Sequence, residues 1–213
     1  MIRLIQGVDA AAHPAETNAM FRARAATFQD RLGWQVSVKN GLEVDRYDAL
    51  NPLYLISVDG GTAKGSLRLL PTSGPNMLGE CFGSFFDDSV NISSPTIWEC
   101  TRFCVHPGSN KEEVSPTGAM RTTWELMLGI CEVALLAGLT HIQGVYSESM
   151  IRVYKRTRWS PTPVAKSKQP GSPVIYVGLW DVNEEVLNRM RRVSGITSSV
   201  IEPEETHPLL NVA

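Results

Sequence analysis

The sequence predicts an α/β fold, a single domain over residues 1–213 in which a mixed sheet carries packed helices. Three observations lead there. Apolar runs of strand length alternate with stretches whose apolar residues recur every three or four positions. No internal repeat and no linker divides the 213 residues. No glycine-rich phosphate fingerprint follows an early strand, which speaks against a Rossmann dinucleotide site.

The elements follow in order. Ile2 to Ile5 reads as a short first strand. A helix starts at Pro14, a residue suited to a first helical turn. It runs through Phe21, Ala25, Phe28 and Leu32 at helical spacing, and Gly33 stops it. Ser37 to Pro52 is polar and reads as a long loop. Leu53 to Val58 and Lys64 to Leu70 form a hairpin about Asp59-Gly60-Gly61. A loop from Pro71 leads into a short helix through Phe82. Ile97 to Val105 is the next strand, ended by His106-Pro107-Gly108. After Pro116, Met120, Trp124, Met127, Cys131 and Leu135 mark the strongest helix, closed by Gly138. Thr140 to Ser147 is a strand, Ser149 to Arg156 a helix, and Lys166 to Pro173 a loop. Val174 to Trp180 is a strand, followed by a helix over Asn183 to Arg192. The tail, 195–213, reads as weakly ordered.

Composition excludes several classes. Hydrophobic residues make up 43% and charged residues 20%, as in ordinary globular proteins. The net charge of -2 argues against a general nucleic-acid binder, which carries a basic excess. The first apolar run is too short for a secretory signal, and no stretch approaches the roughly 18 apolar residues of a membrane span. A cytoplasmic protein is expected. Cys81, Cys100, Cys104 and Cys131 lack paired C-x-x-C spacing, and His13, His106, His141 and His207 form no ligand cluster. No metal site is expected, and the cysteines read as free thiols.

Charged residues sit where the pattern does not ask for them. Arg24 lies one turn before Phe28. Asp45 and Asp48 form a D-x-x-D in the long loop. Arg68 interrupts the second hairpin strand, and Glu99 and Arg102 stand in the apolar run IWECTRF. A buried charge costs several kcal/mol unless it is paired or used. Three acids and three bases together can neutralise one another in a cleft. Glu99 and Arg102, three apart, face oppositely on a regular strand. A β-bulge between them is expected, which brings both to one face.

These residues carry a resemblance. MFRARAATFQDRLGW with Arg24, Phe28 and Trp34, EVDRYDALNPLYLI with Asp45 and Asp48, GSLRLLPTSGPNML with Arg68, and IWECTRFCV with Glu99 and Arg102 resemble the acyl-homoserine-lactone synthases, the autoinducer synthases of bacterial quorum sensing. The eight positions keep the family's spacing with hardly any insertion. The likeness is strong over the first half and continues more weakly through MIRVYKRTRW. Thr101 departs from a frequent serine but keeps the hydroxyl, and Cys100 and Cys104 fall where relatives vary.

The resemblance implies a fold similar to the N-acetyltransferases, a twisted mixed sheet with helices on both faces, splayed to form an acyl cleft. It implies N-acylation of S-adenosylmethionine (SAM) by an acyl thioester, then lactonisation with release of methylthioadenosine. SAM is then a substrate, and no cofactor is needed. Glu99 is the candidate base, with Arg68 and Arg102 beside it. Arg24, Phe28, Trp34, Asp45, Asp48 and Phe103 are candidates for holding SAM, with Arg24 on its carboxylate, although Asp45 and Asp48 can instead brace Arg68 and Arg102, and Phe28 and Phe103 serve equally as core. Arg152, Lys155, Arg156 and Arg158, followed by Lys166 and Lys168, form a basic patch suited to an acidic acyl carrier protein. Coenzyme A fits the same residues, and so does a plain solvated face. Met127, Ile142, Val145 and Tyr146 are candidates for the acyl pocket or plain core. Two other readings stay open: an acyl-CoA-dependent N-acyltransferase acting on another amine, and a catalytically silent binding protein.

Overall fold

The structure, a computed structural model, describes residues 1–86, 90–106, 120–167 and 173–203. The expected stops at Pro107, Gly108 and Pro116, Lys168, and the tail from 204 onward lie outside the described residues.

A seven-stranded sheet forms the centre. Its strands are β1 (Ile2–Gln6), β4 (Leu53–Asp59), β5 (Thr62–Pro71), β6 (Ile97–Val105), β7 (His141–Ser147), β8 (Thr162–Lys166) and β9 (Ile175–Asp181), in the spatial order β1-β4-β5-β6-β7-β9-β8. Only β6 and β7 pair in parallel; every other neighbour is antiparallel. β2 (Val38–Lys39) and β3 (Leu42–Glu43) make a separate small ribbon inside what the sequence presents as a loop. β8 also went unseen, because Pro163 and exposed side chains hide it. It is an edge strand, where proline is tolerated.

Alternation along β4 distributes the helices. Leu53 and Leu55 join Leu67 and Leu69 of β5 in the main core, under α2 (Arg121–Leu136). Tyr54 and Ile56 point the other way and pack with Met20 of α1 (Pro14–Arg24). Helices therefore cover both faces. α4 (Glu184–Ser194) lies over α2's side of the molecule, where Val186, Leu187 and Met190 enter the same core. Asn183 caps its start by accepting from the Val186 N–H at 2.9 Å, and Gly195 ends it at φ 76°.

Two expectations are corrected here. The first helix does not run unchanged to Gly33. It is α-helical to Arg24 and continues as wider π-helical turns over Ala25–Arg31. Such turns gather at functional sites because they re-aim side chains. The tail after Gly195 is also not loose as far as Glu202. Val200 and Ile201 are buried, the Ile2 N–H donates to the Val200 carbonyl, and Ile201 bridges to Ile2 in parallel. A two-residue apolar pair is too short for sequence periodicity to register.

Close approach of α2 to the sheet depends on Gly65 in β5. A Cβ there would stand 2.5 Å from Thr122 Cγ2 and 3.0 Å from Leu126 Cδ1. Gly65→Ala is expected to lower stability by about 1–3 kcal/mol, the usual range for overpacking, measured as a lower urea midpoint with an unchanged m-value.

Candidate active site

The parallel ladder between β6 and β7 is short. Ile97, Trp98 and Glu99 pair with His141, Ile142 and Gln143, and pairing ends there. β6 then stays with β5, and β7 stays with β9. The two strands part like a fork. A bulge in β6 accompanies the split: Arg68 faces Thr101 while Ser66 faces Cys104, so β6 carries one extra residue over that interval. Arg102 sits in it at φ 54°. The sequence placed a bulge between Glu99 and Arg102; the irregularity lies just beyond, between Thr101 and Cys104.

A cavity of about 450 Å³ fills the fork. Cys100, Thr101, Arg102 and Phe103 line one prong, and Gly144, Val145, Tyr146 and Ser147 line the other. The π-helical turns contribute Thr27, Phe28 and Arg31 to the mouth. Phe28 stacks on Trp34 with ring centres 5.1 Å apart, and the Arg102 guanidinium lies 5.2 Å from the Phe28 ring centre. The far end is aromatic. Tyr146 meets Tyr154 and Trp180 edge-on, and Trp159 completes the wall. Met127, Ile142, Val145 and Tyr146, named from sequence for the acyl pocket, all line this cavity.

Beside the cavity, Arg24, Arg68 and Arg102 interlock with Glu43, Asp45 and Asp48. Arg24 donates from Nε to Glu43 at 2.5 Å and from both terminal nitrogens to Asp48 at 2.9 Å. Arg68 reaches Asp45 at 2.5 and 3.0 Å, Asp48 at 2.8 Å, and the Thr101 hydroxyl at 3.0 Å. Arg102 donates to Glu43 at 2.8 Å and to Asp45 at 2.9 Å. The acids are held in turn. Asp45 and Asp48 cap the helical turn Arg46–Ala49 reciprocally, and the Tyr54 hydroxyl donates to Asp48 at 2.8 Å. Burial alone raises the Asp48 carboxyl, but its bonds to Arg24 and the charge of Arg68 outweigh that and hold it well below the usual carboxylate range.

Glu99 stands apart from that cluster. Its Oε2 accepts from the Met77 N–H and its Oε1 from the Leu78 N–H, each at 2.8 Å, and Gln143 Nε2 donates to Oε1 at 3.3 Å. The residue is 1% exposed and lies at the base of the fork. Burial pushes its carboxyl up, against the opposing pull of those donors and of Arg68. Its neighbour Cys100 is pushed up to about 12 by burial and by the Glu99 charge, so its thiol stays protonated at neutral pH.

The sequence set thus divides. Phe28, Trp34, Glu99, Arg102 and Phe103 line the cavity. Arg24, Asp45, Asp48 and Arg68 lie behind it in the ion cluster. Arg24 has its donors committed to Glu43 and Asp48, so it braces the wall and does not face the cavity. The third acid of the cluster is Glu43, not Glu99. Glu43 is fully buried, yet its local sequence is a polar stretch with no signal of burial beyond the flanking Leu42 and Val44. Gln143 was also missed. The one available sign was an amide between Ile142 and Gly144 in an apolar strand. Arg152, Lys155, Arg156 and Arg158 are exposed on or just after α3 (Ile151–Arg156), next to Met150 and Tyr154 of the cavity wall.

Removing one member of a buried ion network leaves its partners charged and dry. Glu43→Gln is expected to cost about 3–5 kcal/mol in chemical denaturation, since Arg24 and Arg102 both lose a counter-charge.

Comparisons with known proteins agree with this architecture. A family model described as autoinducer synthase matches residues 10–190. An acyl-homoserine-lactone synthase of Rhizobium etli is 49% identical over 174 residues, covering 81% of this chain and 80% of that protein. One from Agrobacterium fabrum (strain C58) is 32% identical over 163 residues, 75% of each chain. Among solved structures, a CoA-dependent acyl-homoserine lactone synthase, BjaI, with SAM and isopentyl-CoA, matches with a TM-score of 0.82 at 21% identity, over 100% of this chain and 99% of that one. An acyl-CoA N-acyltransferase from Pseudomonas aeruginosa shares the fold at a TM-score of 0.52 and 12% identity, over 85% of this chain and 99% of that one. The chain belongs to the autoinducer synthase family, and with it to the acyltransferases that make acyl-homoserine lactones.

Proposed function

We propose that the forked cavity binds SAM at its polar mouth and an acyl chain at its aromatic end, and that Glu99 is the base for amide formation. The observation that carries this reading is the position of Glu99 on the cavity wall at the point where β6 and β7 part.

The amine of SAM attacks the thioester carbonyl only after losing a proton. Glu99 takes it, directly or through water, and its upward-shifted carboxyl suits a base working near neutrality. Past Glu99, β7 no longer pairs with β6, which leaves strand N–H groups for the oxyanion of the tetrahedral intermediate. The intermediate collapses to the amide and expels the thiol. Cys100, protonated at neutral pH, offers no thiolate for an acyl-enzyme detour. In the second step the SAM carboxylate attacks its own γ-carbon, the C–S bond breaks, and methylthioadenosine leaves. The enzyme holds the chain curled, and proximity supplies the rate. The stacked Phe28–Trp34 pair presents aromatic faces to the sulfonium. With Arg24 committed behind the wall, Arg31 and Arg102 on the cavity wall receive the carboxylate.

For the donor, the exposed basic residues of α3 beside the cavity favour an acidic acyl carrier protein. BjaI, described as CoA-dependent, shares this fold. Coenzyme A is therefore the second reading. It predicts turnover with acyl-CoA, with little effect of charge reversal on α3 when the donor is small.

Purified protein given SAM and matched acyl-carrier and acyl-CoA thioesters is expected to yield an acyl-homoserine lactone and methylthioadenosine by mass spectrometry. Thiol release without a lactone would mean a different amine acceptor. Glu99→Gln is expected to stay folded and lose turnover by about 10²–10⁴-fold; a wild-type rate would remove Glu99 from the chemistry. Reversing Lys155 and Arg156 to Glu is expected to raise KM for the carrier-linked donor with kcat kept. An unchanged KM returns α3 to a solvated face.

A further inference from the structure

Gln143 is fully buried and is the last residue of β7 to pair with β6, directly across from Glu99. Its Nε2 donates to Glu99 Oε1, while its Oε1 is buried and accepts no hydrogen bond from the described residues. Leaving an amide oxygen unpaired in the interior costs free energy, because the group has given up its bonds to water. Sheet pairing alone does not explain that expense, since an apolar side chain on β7 would keep the ladder without it. The carboxylate fixes the amide's orientation, because turning it over would set oxygen against oxygen.

The bonding at Glu99 is unequal. Oε1 accepts two bonds, from Leu78 N–H and from Gln143, which occupies both of its lone pairs. Oε2 accepts one, from Met77 N–H. One lone pair of Oε2 is left for a proton. We propose that Gln143 is a positioning residue for Glu99: it saturates Oε1, locks the carboxylate plane at the fork, and makes Oε2 the oxygen that takes the proton from the substrate amine. The proposal rests on the reading of Glu99 as the base. The other charged and titratable groups near the carboxylate are Arg68 from β5, Cys100 in β6 and Arg102 on the cavity wall, and they are unchanged by substitution at 143.

A hydrogen bond to the ionised carboxylate favours the charged form, so losing it raises the pH at which Glu99 gives up its proton. The test is the pH profile of kcat/KM, followed by methylthioadenosine release, for wild type, Gln143→Met, Gln143→Glu and Glu99→Gln with one donor. Titration of the SAM amine is common to all four and cancels. For Gln143→Met the acid limb is expected to move up by about one pH unit, so that the loss of rate is largest at low pH and shrinks as the pH rises through the limb. For Gln143→Glu, whose second carboxyl keeps the shape but adds like charge, the limb is expected to move further up. An acid limb at the wild-type pH in both Gln143 variants, or an equal loss of rate at every pH, overturns the proposal while an inactive Glu99→Gln leaves the base in place. A fully active Glu99→Gln overturns both.

Discussion

The interlocked arginines and carboxylates behind the cavity are the constraint on which the site depends. Arg24 comes from the first helix, Glu43 from the small ribbon, Asp45 and Asp48 from a helical turn, Arg68 from β5 and Arg102 from the bulge in β6. Within this set each charge meets opposite charges at hydrogen-bond distance, so the desolvation cost is offset only while all are in place. Such a network contributes little net stability against an apolar replacement. It does fix geometry, because guanidinium forks and carboxylates accept few arrangements.

That fixed geometry reaches the cavity through two residues. Arg102 adopts a left-handed backbone, a conformation costing roughly 1 kcal/mol or more for a residue with a Cβ, and its bonds to Glu43 and Asp45 hold it there. Arg68 bonds the Thr101 hydroxyl and so pins β6 just before the bulge. Together they set where β6 turns away from β7. The ion cluster thus holds β6 at the point where the fork opens.

Much of this was legible in the sequence. Strands and helices with clear periodicity, such as Ile97 to Val105 and the helix through Trp124, fall where the apolar pattern puts them. The charged positions stood out because IWECTRF and GSLRLL place ions in apolar runs. What stayed hidden has physical causes. A π-helical continuation has the same local composition as an α-helix, so the re-aiming of Phe28 left no trace in the spacing. Glu43 is buried by tertiary partners alone, and a polar stretch gives no sign of that. The division of the acids, with Glu43 in the cluster and Glu99 outside it, depends on contacts between residues 19 to 59 positions apart, which local patterns do not record.

The two kinds of buried carboxylate show why that division matters. Asp48 and Glu99 are both buried, and burial pushes both upward. Asp48 is answered by full positive charges from Arg24 and Arg68, which overcome desolvation and keep it ionised. Glu99 is answered chiefly by dipoles, two backbone N–H groups and an amide, with Arg68 as a weaker contribution, and desolvation prevails. Neutral donors can orient a carboxylate without removing its basicity, whereas a paired guanidinium removes it. Had Glu99 joined the ion cluster, it would be a structural ion like Asp48. The bulge carries Arg102 to Glu43 and Asp45, where its guanidinium is engaged by those two acids, while Glu99, bonded by Met77, Leu78 and Gln143, is left able to accept a proton.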